Sequence, residues 1–212
     1  MSLSGSDLGC VQSNHTFDCP NQTFTPTDEQ FTWELSNWFL SADLDPFVSQ
    51  SFSFKNLGET ATFRVSTEIP ITPPLSPSSL MGGSTGGWVS DTSLDGAGGL
   101  STVLGEAFYV GVIDGVSITS SELHSDPFNI NFAFSGETVS IPSASFGLPG
   151  PTLSGPSAMT SIGIVNTFSL AGGDSVSSSN YFIVEAIPEP SMMGLLTTSS
   201  LVMLGLRRRR KS

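Results

Sequence analysis

The side chains in this sequence that could do chemistry are few. His15 and His124 are the two histidines in 212 residues. His15 lies between the two cysteines, Cys10 and Cys19. His124 follows Glu122-Leu123 and precedes Asp126-Pro127, a segment that reads as a turn. A histidine near a carboxylate is the start of a base and its orienting partner, and a serine-rich chain always offers a nucleophile, because a triad is defined by geometry. No Gly-x-Ser-x-Gly elbow is read in the chain. His124 beside Asp126 therefore reads as a hydrogen-bonded loop histidine. No catalytic residue, cofactor site or metal site is expected, and no pair of acids can be singled out for glycoside chemistry.

Two short acidic turns have oxygens that could serve calcium: Asp43 with Asp45, and Asp91 with Asp95-Gly96. Neither has the ligand spacing of an EF-hand loop. Asx-turn chemistry, in which a carboxylate accepts from nearby backbone N–H groups, accounts for both without a cation. Asn14-His15-Thr16 and Asn21-Gln22-Thr23 match the acceptor pattern for N-linked sugar.

Cys10 and Cys19 enclose a turn-prone segment. A disulfide here would close a small loop and contribute roughly 2–3 kcal/mol. It would require an oxidising compartment. The alternatives are two free thiols or a metal site. The Cys and His spacing matches no zinc pattern, and no fourth ligand is apparent.

The C-terminal end has a different organisation. Ile187 leads into Pro188, Glu189 and Pro190, then an uncharged stretch over 191–206, then Arg207, Arg208, Arg209, Arg210 and Lys211. Pro190 is suited to start a helix and cannot continue one backwards. Glu189 stands where the helix dipole favours a negative charge. A helix over 191–206 would span about 24 Å at 1.5 Å per residue, against a hydrocarbon thickness of roughly 30 Å. Its centre, Thr197 to Ser200, is polar. The helix is thus a marginal membrane span, helped by snorkelling arginines. The run of bases after it marks the cytoplasmic side and puts the body across the membrane.

These three elements, in this order and at this terminal position, resemble the PEP-CTERM sorting domain of bacterial exported proteins. The resemblance covers 188–212. It implies recognition of Pro188-Glu189-Pro190 and processing of the tail by an exosortase, a membrane cysteine enzyme of transpeptidase type. It also implies an inner-membrane intermediate, delivery to the cell surface or extracellular matrix, and an exopolysaccharide or biofilm setting. Phe168-Ser169-Leu170, Gly173-Asp174-Ser175 and Phe182-Ile183-Val184 are similar to the last strands of several such cargoes. An export signal should open the chain with basic residues and an apolar run. Met1 to Cys10 has neither, so the expected signal is one removed from, or encoded upstream of, this N-terminus.

Charge divides the chain in the same place. Before the tail, Lys55 and Arg64 face eighteen acids, a net of −16. Such a body cannot neutralise phosphates, which excludes nucleic acid as a partner. It is rich in Ser, Thr, Gly and Phe, a mixture suited to strands joined by polar turns.

The elements that must position any site read as strands. Residues 1–30 read as an irregular lead-in holding the cysteine loop. Phe31 to Leu35 alternates. Val48, Gln50, Phe52 and Phe54 alternate with polar partners, then Ala61, Phe63, Val65, Thr67, Ile69 and Ile71 do the same. With Asn56 to Glu59 as the turn, this predicts a hairpin. Residues 76–102 are rich in Gly, Ser and Thr and predict a short strand around Trp88-Val89 among long turns, or a loop. Glu106 to Ile113, a turn at Asp114-Gly115, and an alternation of Phe128, Ile130, Phe132 and Phe134 follow. A last pair, 161–170 and 175–186, is divided by a turn at 171–174.

The expected fold is an all-β antiparallel sandwich of about seven or eight short strands over 31–187, followed by one C-terminal hydrophobic helix. The expected function is that of a non-enzymatic surface or matrix protein. A carbohydrate-binding module is the alternative, if Trp33, Trp38, Trp88 or Tyr109 share an exposed face. A secreted hydrolase is the third reading.

Overall fold

The computed structural model describes residues 10–13, 16–25, 32–43 and 46–187. Among them the chain is all-β, with one 3-10 turn at Thr119–Ser121 and no α-helix. One antiparallel sheet, here the first, contains β1 (Val11–Ser13), β2 (Thr16–Phe24), β3 (Trp33–Asp43), β4 (Phe47–Asn56), β6 (Ser79–Ser90), β12 (Thr138–Phe146), β13 (Leu153–Gly155) and β15 (Ser175–Ala186). The second contains β5 (Ala61–Pro70), β7 (Gly99–Ser101), β8 (Ala107–Ile113), β9 (Val116–Ser117), β10 (Leu123–Ser125), β11 (Asn129–Asn131) and β14 (Ser161–Leu170). In the first the order is β1-β2-β3-β4-β15-β6-β12, with β13 also on β6. In the second, β14 is central, with β5 along one edge and β8 and β7 along the other.

The two sheets share one hydrophobic core. Phe52 and Phe54 of β4 meet Phe168 of β14 at ring-centroid distances of 6.4 and 5.7 Å, and Tyr109 of β8 meets Phe146 of β12 at 6.3 Å. A polar seam crosses the same interface. The Oδ1 atom of Asn180 accepts from Thr85 Oγ1 at 2.7 Å, Ser178 Oγ at 3.1 Å and, from the opposite sheet, Asn166 Nδ2 at 3.1 Å. Buried polar groups that must find their partners inside the protein allow few alternative packings, so the seam helps specify how the sheets face.

The expected hairpin over 48–71 is not formed. β4 pairs with β3 and β15, whereas β5 pairs with β14 in the other sheet. The turn at 57–60 is an arch that carries the chain across the core. The turn at 171–174 does the same between β14 and β15. Alternation reports which residues are buried, and a strand facing a core alternates whichever sheet it joins. That is why the strands were legible and the pairing was not. Three further expectations change. Residues 11–13 and 16–24 of the expected irregular lead-in are strands. The 76–102 segment contains the 12-residue β6, paired on both sides. The alternation over 128–134 yields a strand only at 129–131, with Phe134 exposed. Thirteen strands lie in the described part of 31–187, where seven or eight were expected, because five of them are pieces of two or three residues. The expected helix at 191–206 lies outside the described residues.

The two arches stack, and Asn56 ties them. Its Nδ2 donates to the carbonyls of Glu59 at 2.7 Å and Leu170 at 2.9 Å, with Ala171 O at 3.3 Å. Its Oδ1 accepts from Gly58 N at 3.0 Å. Its backbone exchanges bonds with the other arch, Asn56 N donating to Asp174 O and Gly173 N to Asn56 O. A Cβ on Gly172 would lie 2.3 Å from Gly58 O, so the arches can approach this closely only with glycine there. Asn56 is 1% exposed, and its loss leaves buried carbonyls without a donor. Asn56→Ala should lower the free energy of unfolding by roughly 2–4 kcal/mol, read from urea denaturation, and Asn56→Asp should also destabilise because a carboxylate cannot donate.

Candidate functional site

The outer face of the first sheet carries an open groove. Strand alternation builds it. On β4, Val48, Gln50, Phe52 and Phe54 point into the core, so Ser49, Ser51 and Ser53 point out. On β15, Val176, Ser178, Asn180 and Phe182 are buried, and Ser177, Ser179 and Tyr181 face outward. Register then lays these side chains in rows. Ser53, Ser177 and Trp88 form one row. Phe39, Ser51, Ser179 and Gly86 form the next, and Ser49, Tyr181 and Ser84 the third.

The depression arises where side chains are missing or displaced. Gly86 supplies no side chain in the middle row. Beside it, β12 shifts register between Ile141 and Ala144, which lays Ser143 along the groove; a Cβ on Gly86 would be 3.1 Å from Ser143 Oγ. On the other side, β3 bulges between Ser36 and Phe39, with Asn37 in the left-handed region at φ 49°. The resulting groove has a volume of about 640 Å³. None of the residues lining it is ionisable. Ser53 Oγ and Ser177 Oγ are 2.9 Å apart, so the floor holds part of its own hydrogen-bond network. Trp88 rises at one side, 56% exposed, and Phe39 is 41% exposed across the serine floor. Hydroxyls that both donate and accept, flanked by an exposed indole, are suited to hold an uncharged polar ligand by hydrogen bonding and ring contact.

The four aromatics weighed for a shared platform do not come together. Trp38 and Tyr109 are buried, and Trp33 is half-buried against Phe54 at 5.6 Å. Tyr109 is drawn inward because its hydroxyl donates to Tyr181 O at 2.7 Å, and burial pushes that hydroxyl's pKa well up. Trp88 alone of the four is exposed. Phe39 and Tyr181, which sequence reasoning did not consider, border the same floor. Their signal would have been the parity of β3 and β15, which cannot be assigned across the β3 bulge without coordinates.

The remaining candidates are accounted for locally. His124 Nε2 bonds with the Pro142 carbonyl at 2.8 Å, and its ring stacks on Phe128 at 4.3 Å. Partial burial draws its pKa down. Asp126 accepts from Thr102 Oγ1 and Gly105 N. The two are thus committed to different structural bonds. Gly82-Gly83-Ser84-Thr85-Gly86 spells the Gly-x-Ser-x-Gly pattern but lies in the middle of β6, extended and paired, where no strand-to-helix elbow exists. Among the described residues, no three His, Cys, Asp or Glu side chains are placed to hold a metal ion. Cys10 and Cys19 form a disulfide. Asn14, His15 and Asp45 lie outside the described residues, as do Pro188, Glu189, Pro190 and the cluster from Arg207 to Lys211.

Comparison with known proteins adds no relative: no family model, curated protein or solved structure matches this chain.

Asp91 is occupied by donors. It receives Leu94 N, Gly96 N, Gly136 N and Ser93 Oγ, all within 2.9 Å. Burial pushes its pKa up, but these bonds outweigh it and hold the carboxyl at about 2. Asp114 likewise receives the backbone of Met159, Thr160 and Ser161 together with Thr160 Oγ1, which outweigh its burial and hold it at about 2. The Asp91 cage forms a third arch, from β6 to β7, beside Asp174. Asp174 is fully buried, with Oδ2 accepting from Gly99 N at 2.9 Å and Oδ1 without a partner. Burial first, then the charges of Asp91 and Asp95, raise its pKa to about 6 against the Gly99 bond. Folding therefore favours the protonated form. Stability should fall as pH rises from about 4 to about 6 and stay flat above, while below about 4 the contributions of Asp91 and Asp114 are lost. Melting temperature should peak near pH 4–5. Asp174→Asn, which keeps an acceptor for Gly99 N and removes the charge, should raise it by a few degrees at pH 7 and abolish the slope between pH 4 and 6.

Proposed function

We propose that this protein is an exported, non-enzymatic component of the cell surface or extracellular matrix. Its tail, which resembles the PEP-CTERM sorting domain, is handed to an exosortase through Pro188-Glu189-Pro190, with the helix over 191–206 and the basic cluster from Arg207 to Lys211 holding the intermediate in the inner membrane. The β-sandwich body is the cargo.

The observation that carries this reading is the Cys10–Cys19 disulfide, which tethers the segment before β1 to β2. Such a bond persists where thiols are oxidised, outside the cytoplasm, the side on which the basic tail would place the body. A non-enzymatic role is supported by the engagement of His124 and Asp126 in separate structural bonds. The point of attachment also suits a tethered cargo. β15 is hydrogen-bonded along its length to β4 and β6 and ends at Ala186, one residue before Ile187 and the motif. Tension on the tail would load many hydrogen bonds at once, in the middle of the sheet.

The test is expression of the full chain in a host with its exosortase and in the same host without it, followed by mass spectrometry of the C-terminus. Loss of the tail in the first host and retention in the second is expected. An intact C-terminus in both would refute sorting by processing.

A further inference from the structure

From the groove on the outer sheet face, we infer that the protein binds a neutral glycan chain there, between Trp88 and Phe39 over the floor of Ser51, Ser53, Ser177 and Ser179. The inference rests on the surface-protein reading for its setting and adds the chemistry of the polymer.

The lining decides the ligand class. It contains no acid and no base, so it offers a charged ligand no counter-charge in place of lost hydration. Polyanionic polymers are further disfavoured by the net charge of −16 on residues 1–187. An apolar ligand would leave the serine hydroxyls unsatisfied. What remains is a ligand that is polar, uncharged and able to hydrogen-bond in both senses along an extended surface, with an apolar face for the indole. A pyranose ring has those properties: hydroxyls around its rim and C–H groups on its faces.

The dimensions fit a chain. Phe39, Ser51, Ser179 and Gly86 are consecutive across four strands. At about 4.8 Å per strand, the floor from β3 to β6 extends roughly 14 Å. The groove is open to solvent and not enclosed, as a polymer requires. Trp88 is held for the task, since its neighbour Val89 is fully buried and fixes the strand while the indole stands in solvent. Gly86 keeps the middle of the groove clear. Its backbone carries no positive φ, but a Cβ there would stand 3.1 Å from Ser143 Oγ and 3.5 Å from Ser143 Cα, so a side chain would press on β12 as well as fill the groove.

The test uses the full chain in detergent, by affinity electrophoresis through gels containing dextran, hydroxyethylcellulose or galactomannan, with alginate as the anionic control. At least one neutral polymer should retard the protein, equally at low and high salt, and alginate should not. Trp88→Ala should weaken retardation about tenfold with circular dichroism and melting unchanged, and Gly86→Val, whose side chain fills the groove and presses on Ser143, should abolish it. Leu104→Ser, at a 90%-exposed position away from the groove, should bind as the native chain does. No retardation by any neutral polymer, or retardation unchanged in both groove variants, would overturn the inference. So would sedimentation showing a native dimer that Trp88→Ala makes monomeric without glycan binding, which would give the groove to a second copy. None of these results depends on tail processing, so the binding site and the sorting reading fail separately.

Discussion

The Asn56 side chain sets the frame for the rest of the molecule. It is the last residue of β4 and bonds to both arches at the point where they cross from one sheet to the other. Because β15 begins immediately after the second arch, this clamp fixes the register of β4 on β15. Ser53 opposite Ser177 and Ser51 opposite Ser179 follow from it. A slip of one residue would turn Phe52 and Phe54 out to solvent and the serines into the core. The burial of those phenylalanines and the clamp at the arches therefore specify the same register, one by area and the other by hydrogen bonds.

The groove is a by-product of that arrangement made specific by local irregularities. A regular sheet of alternating Ser and Phe would present a flat hydroxylated face. Gly86, the β3 bulge at Asn37 and the shift in β12 at Ser143 turn the face into a groove. Gly86 and Ser143 lie on the outward side, and the β3 bulge leaves its neighbour Trp38 in the core. The strand that floors the groove is also the one that leads to Ile187. In the proposed setting, a ligand held on Ser177 and Ser179 and a tether at the end of β15 would share a single strand supported on both sides.

The acids enclosed by the fold show a different balance. Asp91 and Asp114 are surrounded by backbone donors and stabilise the fold as carboxylates. Asp174 has one donor and little solvent, and it sits near two other acids. Identical side chains thus contribute with opposite sign, and the difference lies in the number of N–H groups aimed at each.

The sequence alone determined the all-β class, because alternation at 48–54 and 61–71 reports burial of one strand face. It also determined the Asp114-Gly115 hairpin, where both residues take positive φ, 52° and 74°, as a tight two-residue turn requires. The order and charge of the tail elements are likewise sequence facts. Partner choice was decided only by tertiary structure. β4 and β5 alternate as a hairpin would, yet join different sheets. β6 reads as a short strand around Trp88-Val89 among turns, or as a loop, and is instead a 12-residue central strand. A Cβ on Gly83 would lie 2.6 Å from the Tyr109 hydroxyl and 2.7 Å from the Phe146 ring, so its glycine makes room for aromatics distant in sequence. For the same reason Trp38 is inside and Trp88 outside. Local pattern records whether a side chain is buried along a strand, but the neighbours that bury it come from other strands, and only the folded chain brings them together.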